Sequence, residues 1–214
     1  MQQLYRMMGA ALGWFAIVLQ YTLIVHYKTD GDLVTAAIRF LSYLTDLSNV
    51  LVALAMTLPW LAPDTGLGRL FTQPSVRTAI LAYIIIVAVI YHYLLAKLWN
   101  PQGWQLVADT IEHVVAPALY VIDWALFVPK GTLRFKSAFV SLVFPLGYAA
   151  YSLVHGAATG FYPYPFIDVS HLGYDKVLTN MVMLLLAFGG LGLLLIALDR
   201  WLGRLKTRAS SAAT

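Results

Sequence analysis

Hydrophobic positions along the chain gather in six long blocks, separated by short stretches rich in Gly, Pro, Asp and Thr. The blocks run near Leu4–His26, Thr35–Leu61, Val76–Leu98, Trp104–Val128, Phe135–Ala158 and Lys176–Trp201. Each is long enough for a spanning helix, which needs about 20 residues. Between them lie "YKTDGD", "APDTGLGRLFTQPS", "NPQG", "VPKGT" and "TGFYPYPFIDVSHLGYD", all dense in turn formers. The pattern predicts an all-α, polytopic membrane protein with six transmembrane helices over residues 1–207 and a disordered cytoplasmic tail over 208–214. The first block lacks a small-residue cleavage site, so it reads as a retained helix and not a signal peptide.

Composition sharpens this. Of 214 residues, 60% are hydrophobic and 11% charged, where soluble domains carry roughly 25% charged residues. With a mean hydropathy of +0.74, the chain has too few polar groups to cover a surface in water. The absence of cysteine removes disulfides, thiolate nucleophiles and Cys-ligated metal. A net charge of +4 would suit nucleic acid, but the basic residues sit at the ends of apolar runs and form no stripe. Their distribution predicts orientation instead. Arg6, Arg69, Arg77, Lys130, Arg134, Lys136, Arg200, Arg204, Lys206 and Arg208 share one side, against Lys28, Arg39, Lys97 and Lys176 on the other. The excess predicts that both termini are cytoplasmic, in the cytoplasmic (inner) membrane. Trp99 and Trp104 then mark the outer interface, and Trp60, Trp124 and Trp201 the inner one.

Charged and polar groups inside these blocks supply the candidate chemistry. Thr45 lies ten residues past Thr35, and His113 nine past Trp104. A rise of 1.5 Å per residue places both about 13–15 Å below the outer edge, near mid-bilayer. Thr45, Asp46, Ser48, Asn49, His92, Asp109, Glu112, His113 and His155 therefore gather in the outer half. Ser42, Thr45 and Asn49 recur at helical spacing on one face. Asp109 and His113 are four apart, so the acid can orient the imidazole, and Pro117 frees the His113 carbonyl and predicts a kink. A lone Thr or Ser here usually serves as interhelical glue. A cluster of acids with two histidines is different, because each ionisable group at that depth costs about 2.5–3.5 kcal/mol. Asp123 and Asp199, near the cytoplasmic edge, are assigned to Lys130 or Arg200. Tyr91, Tyr93, Tyr162 and Tyr164 are assigned to interfacial anchoring, and Gly9 and Gly13 to helix packing.

No G-x-S-x-G, H-E-x-x-H or phosphate-binding loop is present. Three functions fit the cluster. In the first, Thr45 is a nucleophile, His113 its general base and Asp109 the orienting acid, acting on a lipid ester. Asn49, Ser48 or His92 would donate to the oxyanion, and Asp46, Glu112 and His155 would line the substrate site. In the second, Asp109, Glu112, His113 and His92 bind zinc or iron. In the third, the same acids serve a proton-linked, non-enzymatic lipid-binding membrane protein. The first requires no cofactor and no metal, and its only partner is a membrane lipid.

The stretches "SYLTDLSN" (42–49), "EHVVAP" (112–117) and "TGFYPYPF" (159–166) carry a family resemblance. With "YHYLLAKLWNPQGWQLVADTIEH", "VIDWALFVPKG" and "ALDR", they make the whole chain similar to bacterial six-helix membrane proteins related to the androgen-induced and androgen-dependent TFPI-regulating proteins. The resemblance implies hydrolysis of fatty-acid esters of hydroxy fatty acids, with Thr45 of "YLT" as nucleophile and His113 of "HVVAP" as base. The chain departs from the animal pattern at "DTIEH" (109–113), where that pattern carries Asn-His ahead of its histidine.

Overall fold

An apolar run in lipid must satisfy every backbone N–H and C=O within itself, which leaves the helix as its solution here. In the computed structural model, which describes residues 1–211, the helices are α1 (Gln2–Lys28), α2 (Leu33–Ser42), α3 (Leu44–Leu61), α4 (Gly66–Thr72), α5 (Pro74–Ile90), α6 (Trp104–Thr110), α7 (Ala116–Phe127), α8 (Val140–Thr159) and α9 (Val169–Ser211). Six units are long and apolar enough to cross a bilayer: Gln2–Lys28, Leu44–Leu61, Pro74–Leu95, Trp104–Phe127, Phe135–Thr159 and Val169–Arg208. The protein is an all-α, multi-pass membrane protein. Its outer surface presents Val143, Val154, Leu186 and Leu194, each more than half exposed, a surface suited to acyl chains and not to water.

α5 is the central helix. Its residues Arg77 to Ile84 are all buried, and α3, α7, α8 and α9 pack around it. α1 packs on α3 at Gly9 and Gly13. A Cβ on Gly9 would sit 2.4 Å from Met56 Sδ and one on Gly13 3.3 Å from Ala53 Cβ, so small residues let the two backbones close.

Several elements depart from the expected pattern. The second block is not one helix but two, broken at Tyr43. The loop after it contains α4, whose first turn is capped by Thr65 Oγ1 accepting from the Gly68 N–H at 3.0 Å. The last span begins earlier than Lys176 and bends at Gly173, where φ is +74°, a conformation that glycine adopts without penalty. α9 also runs through Ser211, so residues 208–211 of the expected tail are helical, and 212–214 lie outside the described residues.

Near the face that holds both termini, Asp123 accepts from Arg6 Nε at 2.7 Å and is also paired with Arg77. The expected partners do otherwise. Lys130 donates to the carbonyls of Trp124 and Val128, and Asp199 accepts the backbone N–H groups of Gly131 and Leu133. Trp124, expected at the interface, is buried with its indole N–H on Thr78 Oγ1 at 2.8 Å.

Candidate functional site

The site begins with the break at Tyr43. Ser42 Oγ bonds back to the Ile38 carbonyl at 2.7 Å, a habit of hydroxyl residues that bends helices. The Ser42 carbonyl, which a continuous helix would offer to Asp46, accepts instead from the Tyr148 hydroxyl at 2.9 Å. Tyr43 is extended (φ −90°, ψ 126°), and α3 starts afresh inside the protein. Thr45 therefore lies in a first turn, where backbone N–H groups have no intrahelical acceptor. Its N–H donates to the Tyr164 hydroxyl at 3.2 Å, and its Oγ1 stands 3.3 Å from the same oxygen.

Two π turns face this helix start. α5 runs on into Tyr91–Leu95, and α6 joins α7 through Ile111–Val115. In the second, the Ala116 N–H bonds to the Ile111 carbonyl, and Pro117 has no N–H to give. The Glu112 carbonyl is thus released, and Asn49 Nδ2 donates to it at 3.3 Å, as it does to the Thr45 carbonyl at 3.0 Å. π turns recur at functional sites because they reposition a side chain within a regular helix. Here they bring the Tyr91 and His113 rings into a stack, centroids 3.6 Å apart. The Tyr91 hydroxyl donates to Asp109 Oδ2 at 2.5 Å.

His113 Nδ1 lies 3.0 Å from the Asp109 backbone carbonyl and 3.5 Å from Asp109 Oδ1. A carbonyl only accepts, so Nδ1 carries the proton and Nε2 keeps its lone pair. No partner takes Nε2 among the described residues. The imidazole is therefore clamped, fixed in tautomer and basic at one nitrogen.

Thr45, Asp46, Tyr91, Glu112, His113 and Tyr164 line one cavity of about 280 Å³, near the lower end for ligand pockets, about 300 Å³. Its mouth carries Lys28, Arg39, Trp99, Pro163 and Pro165, on the face remote from the termini. Thr45 and Tyr164 also wall a second, narrow, apolar slot of about 40 Å³ between α5, α8 and α9. Thr45 thus stands where a polar chamber meets an apolar one. Asp46 and Glu112 are each 2% exposed, and Asp46 Oδ2, Asp109 Oδ1 and Glu112 Oε1 have no hydrogen-bond partner among the described residues.

The loop that delivers Tyr164 is stiff. Prolines 163 and 165 flank it, and Pro165 forces the residue before it to be extended. Asn180 Nδ2 holds the Phe166 carbonyl at 2.7 Å, and the Tyr162 ring rests directly on Gly156, where a Cβ would collide. At the loop's end, the Ser170 hydroxyl and N–H donate to Asp168, which holds that carboxyl below the usual range.

Of the residues expected at the site, the cavity gathers Thr45, Asp46, Asp109, Glu112 and His113. Four others stand elsewhere. His92 is exposed, with Nδ1 on its own helix's Ala88 carbonyl at 2.8 Å, because the π turn aims its neighbour Tyr91 inward instead. His155 stacks on Tyr151 beside Thr159, away from the chamber. Ser48 is fully buried but does not reach the lining. Asn49 approaches, yet both its bonds hold backbone carbonyls. Conversely, Tyr91 and Tyr164, expected as interfacial anchors, are buried to 8% and 7% exposure within the site. The proline pair around Tyr164 was the available signal of a fixed, inserted side chain. Among the described residues, no set of three or more His, Asp or Glu is placed to hold a metal ion. No protein family, curated protein or solved structure matches this chain.

Proposed function

We propose that this protein is a lipid-ester hydrolase of the bacterial inner membrane, with both termini cytoplasmic and the cavity open to the outer leaflet. The observation that carries the reading is the meeting of Thr45 and the free Nε2 of His113 on one cavity. That cavity adjoins an apolar slot at the nucleophile itself. An ester would lie with its acyl chain toward the slot and its carbonyl at Thr45. Thr45 Oγ1 attacks the carbonyl carbon while its proton passes to His113 Nε2. The resulting imidazolium protonates the leaving alkoxide oxygen, and the acyl group stays on Thr45. Water entering from the mouth loses a proton to His113 and attacks the acyl carbon; the imidazolium returns that proton to Thr45 Oγ1 as the bond to it breaks and the fatty acid leaves. Asp109 holds the imidazole through its backbone carbonyl, with its carboxylate 3.5 Å from the same nitrogen, and so fills the orienting role of the third member of a triad. No direct bond joins Thr45 to His113 in the resting protein; such bonds tighten when substrate is bound. The resemblance at "YLT" and "HVVAP" assigns the same two residues and supports a fatty-acid ester as substrate.

The partnerless oxygens of Asp46 and Glu112 favour a second reading, proton-linked lipid binding without chemistry. One experiment separates the two. A fluorophosphonate should label the wild-type protein at Thr45, and Thr45→Ala and His113→Ala should each abolish labelling and ester turnover while both variants still insert. Full turnover in either variant, or no labelling of the wild type with lipid binding retained, would leave only the second reading.

A further inference from the structure

Attack on an ester leaves negative charge on the former carbonyl oxygen, and donors must already stand about 2.7–3.1 Å from where it forms. None of the side chains first expected to supply them is available. Asn49 spends its amide on two backbone carbonyls, Ser48 does not reach the cavity, and His92 points away. Two other donors converge on Thr45. One is its own N–H, free of the helix because α3 begins at Leu44. The other is the Tyr164 hydroxyl. That phenol oxygen accepts the Thr45 N–H, so the bond leaves the phenol's own hydrogen unspent. Thr45 Oγ1, at 3.3 Å, lies within reach of that hydrogen, and either hydroxyl can donate across the pair.

We infer that Tyr164 is a catalytic residue of the proposed hydrolase, forming the oxyanion site together with the Thr45 N–H. The inference rests on the hydrolase reading above. In the resting protein the Tyr164 oxygen accepts the Thr45 N–H at 3.2 Å, so a carbonyl oxygen arriving beside that pair lies within reach of both donors without displacing the phenol. The N–H then turns from the phenol to that oxygen, and the phenol hydrogen turns from Thr45 Oγ1 to the same atom. Freed of that hydrogen bond, the Thr45 oxygen attacks, and its proton goes to His113 Nε2. Tyr164 lends a hydrogen bond and keeps its proton throughout. Burial pushes this phenol above the usual tyrosine range, so it stays a donor at neutral pH. The rigidity of its proline-flanked loop serves the same end, since a donor fixed in place needs no reorganisation as charge develops.

The test compares Tyr164→Phe with Thr45→Ala in purified protein, using a long-chain nitrophenyl ester. Tyr164→Phe should lose about 10²-fold in kcat, the usual effect of removing one oxyanion donor, with KM within twofold. Its affinity for a lipophilic trifluoromethyl ketone, which forms a tetrahedral adduct, should fall in parallel. Its affinity for the unreactive parent ketone should not change. Wild-type kcat in Tyr164→Phe, with Thr45→Ala inactive, overturns the inference and leaves the hydrolase reading intact. Full activity of Thr45→Ala overturns the reading itself. Should Tyr164→Phe fold poorly, 3,5-difluorotyrosine at position 164 keeps the shape and acidifies the phenol. The alkaline limb of its kcat profile should then move to lower pH, and an unmoved limb refutes the inference.

Discussion

Asp123 shows how much one side chain can hold together in this protein. It is completely buried and joins Arg6 of α1 to Arg77 of α5 through its own helix, α7. Replacing it with Asn would keep the shape but strand two guanidinium groups away from water. Breaking a buried pair in this way costs about 3–5 kcal/mol. Asp123→Asn should therefore lower the thermal unfolding midpoint in detergent far more than Arg6→Gln, which leaves the Arg77 pair intact. Equal midpoints for wild type and Asp123→Asn would show that the triad contributes nothing. The sequence did not reveal these partners, because Arg6 and Arg77 lie 117 and 46 residues from Asp123 and nearer cations were at hand. The site residues divide along the same line. Asp46, Asp109, Glu112 and His113 were legible because charge or imidazole at mid-bilayer depth is costly and needs a reason, and Thr45 was singled out by its depth beside His113 and by the resemblance at "YLT". Tyr91 and Tyr164 were not, since a tyrosine near a span's end ordinarily belongs to the interfacial belt. Only the folded π turn and the folded loop reveal that these two point inward.

At the scale of elements, hydropathy located the six spans but not the irregularities that make the site. A π turn holds one residue more than an α turn, yet both keep apolar residues in an unbroken run. Nor did the break at Tyr43 announce itself, because neither Gly nor Pro marks it; it depends on Tyr148, 106 residues away, taking the Ser42 carbonyl. The turn at Ile111–Val115 can be removed cleanly. Val114 is 48% exposed, so deleting it empties no core position and returns the segment to α pitch. Because the π turn holds one residue more than an α turn, removing that residue leaves α6 and α7 close to their present phase and re-aims the side chains within the turn, His113 among them. His113 would leave its stack on Tyr91 and its place on the cavity. The deletion variant should retain its circular dichroism spectrum while losing fluorophosphonate labelling and turnover. Undiminished turnover would mean that the π turn does not place the base.

At the scale of the whole molecule, the direction in which the cavity opens decides which leaflet feeds it. Its mouth lies among Lys28, Trp99 and Pro163, on loops whose face carries few of the 14 basic residues. Loops rich in Lys and Arg stay on the cytoplasmic side during insertion. In the proposed orientation the charge bias and the position of the mouth agree, and the chamber would open toward lipids of the outer leaflet. The absence of cysteine makes this directly measurable, because any introduced thiol is unique. Asn100 and Asp64 are exposed loop residues at opposite ends of the span Pro74–Leu95 or beside it. A membrane-impermeant maleimide should label Asn100→Cys in intact cells and Asp64→Cys only after the cells are opened. The reverse pattern would turn the mouth to the cytoplasm. Thr45 would then draw its ester from the inner leaflet, and the basic loops would face a side where insertion does not ordinarily leave them.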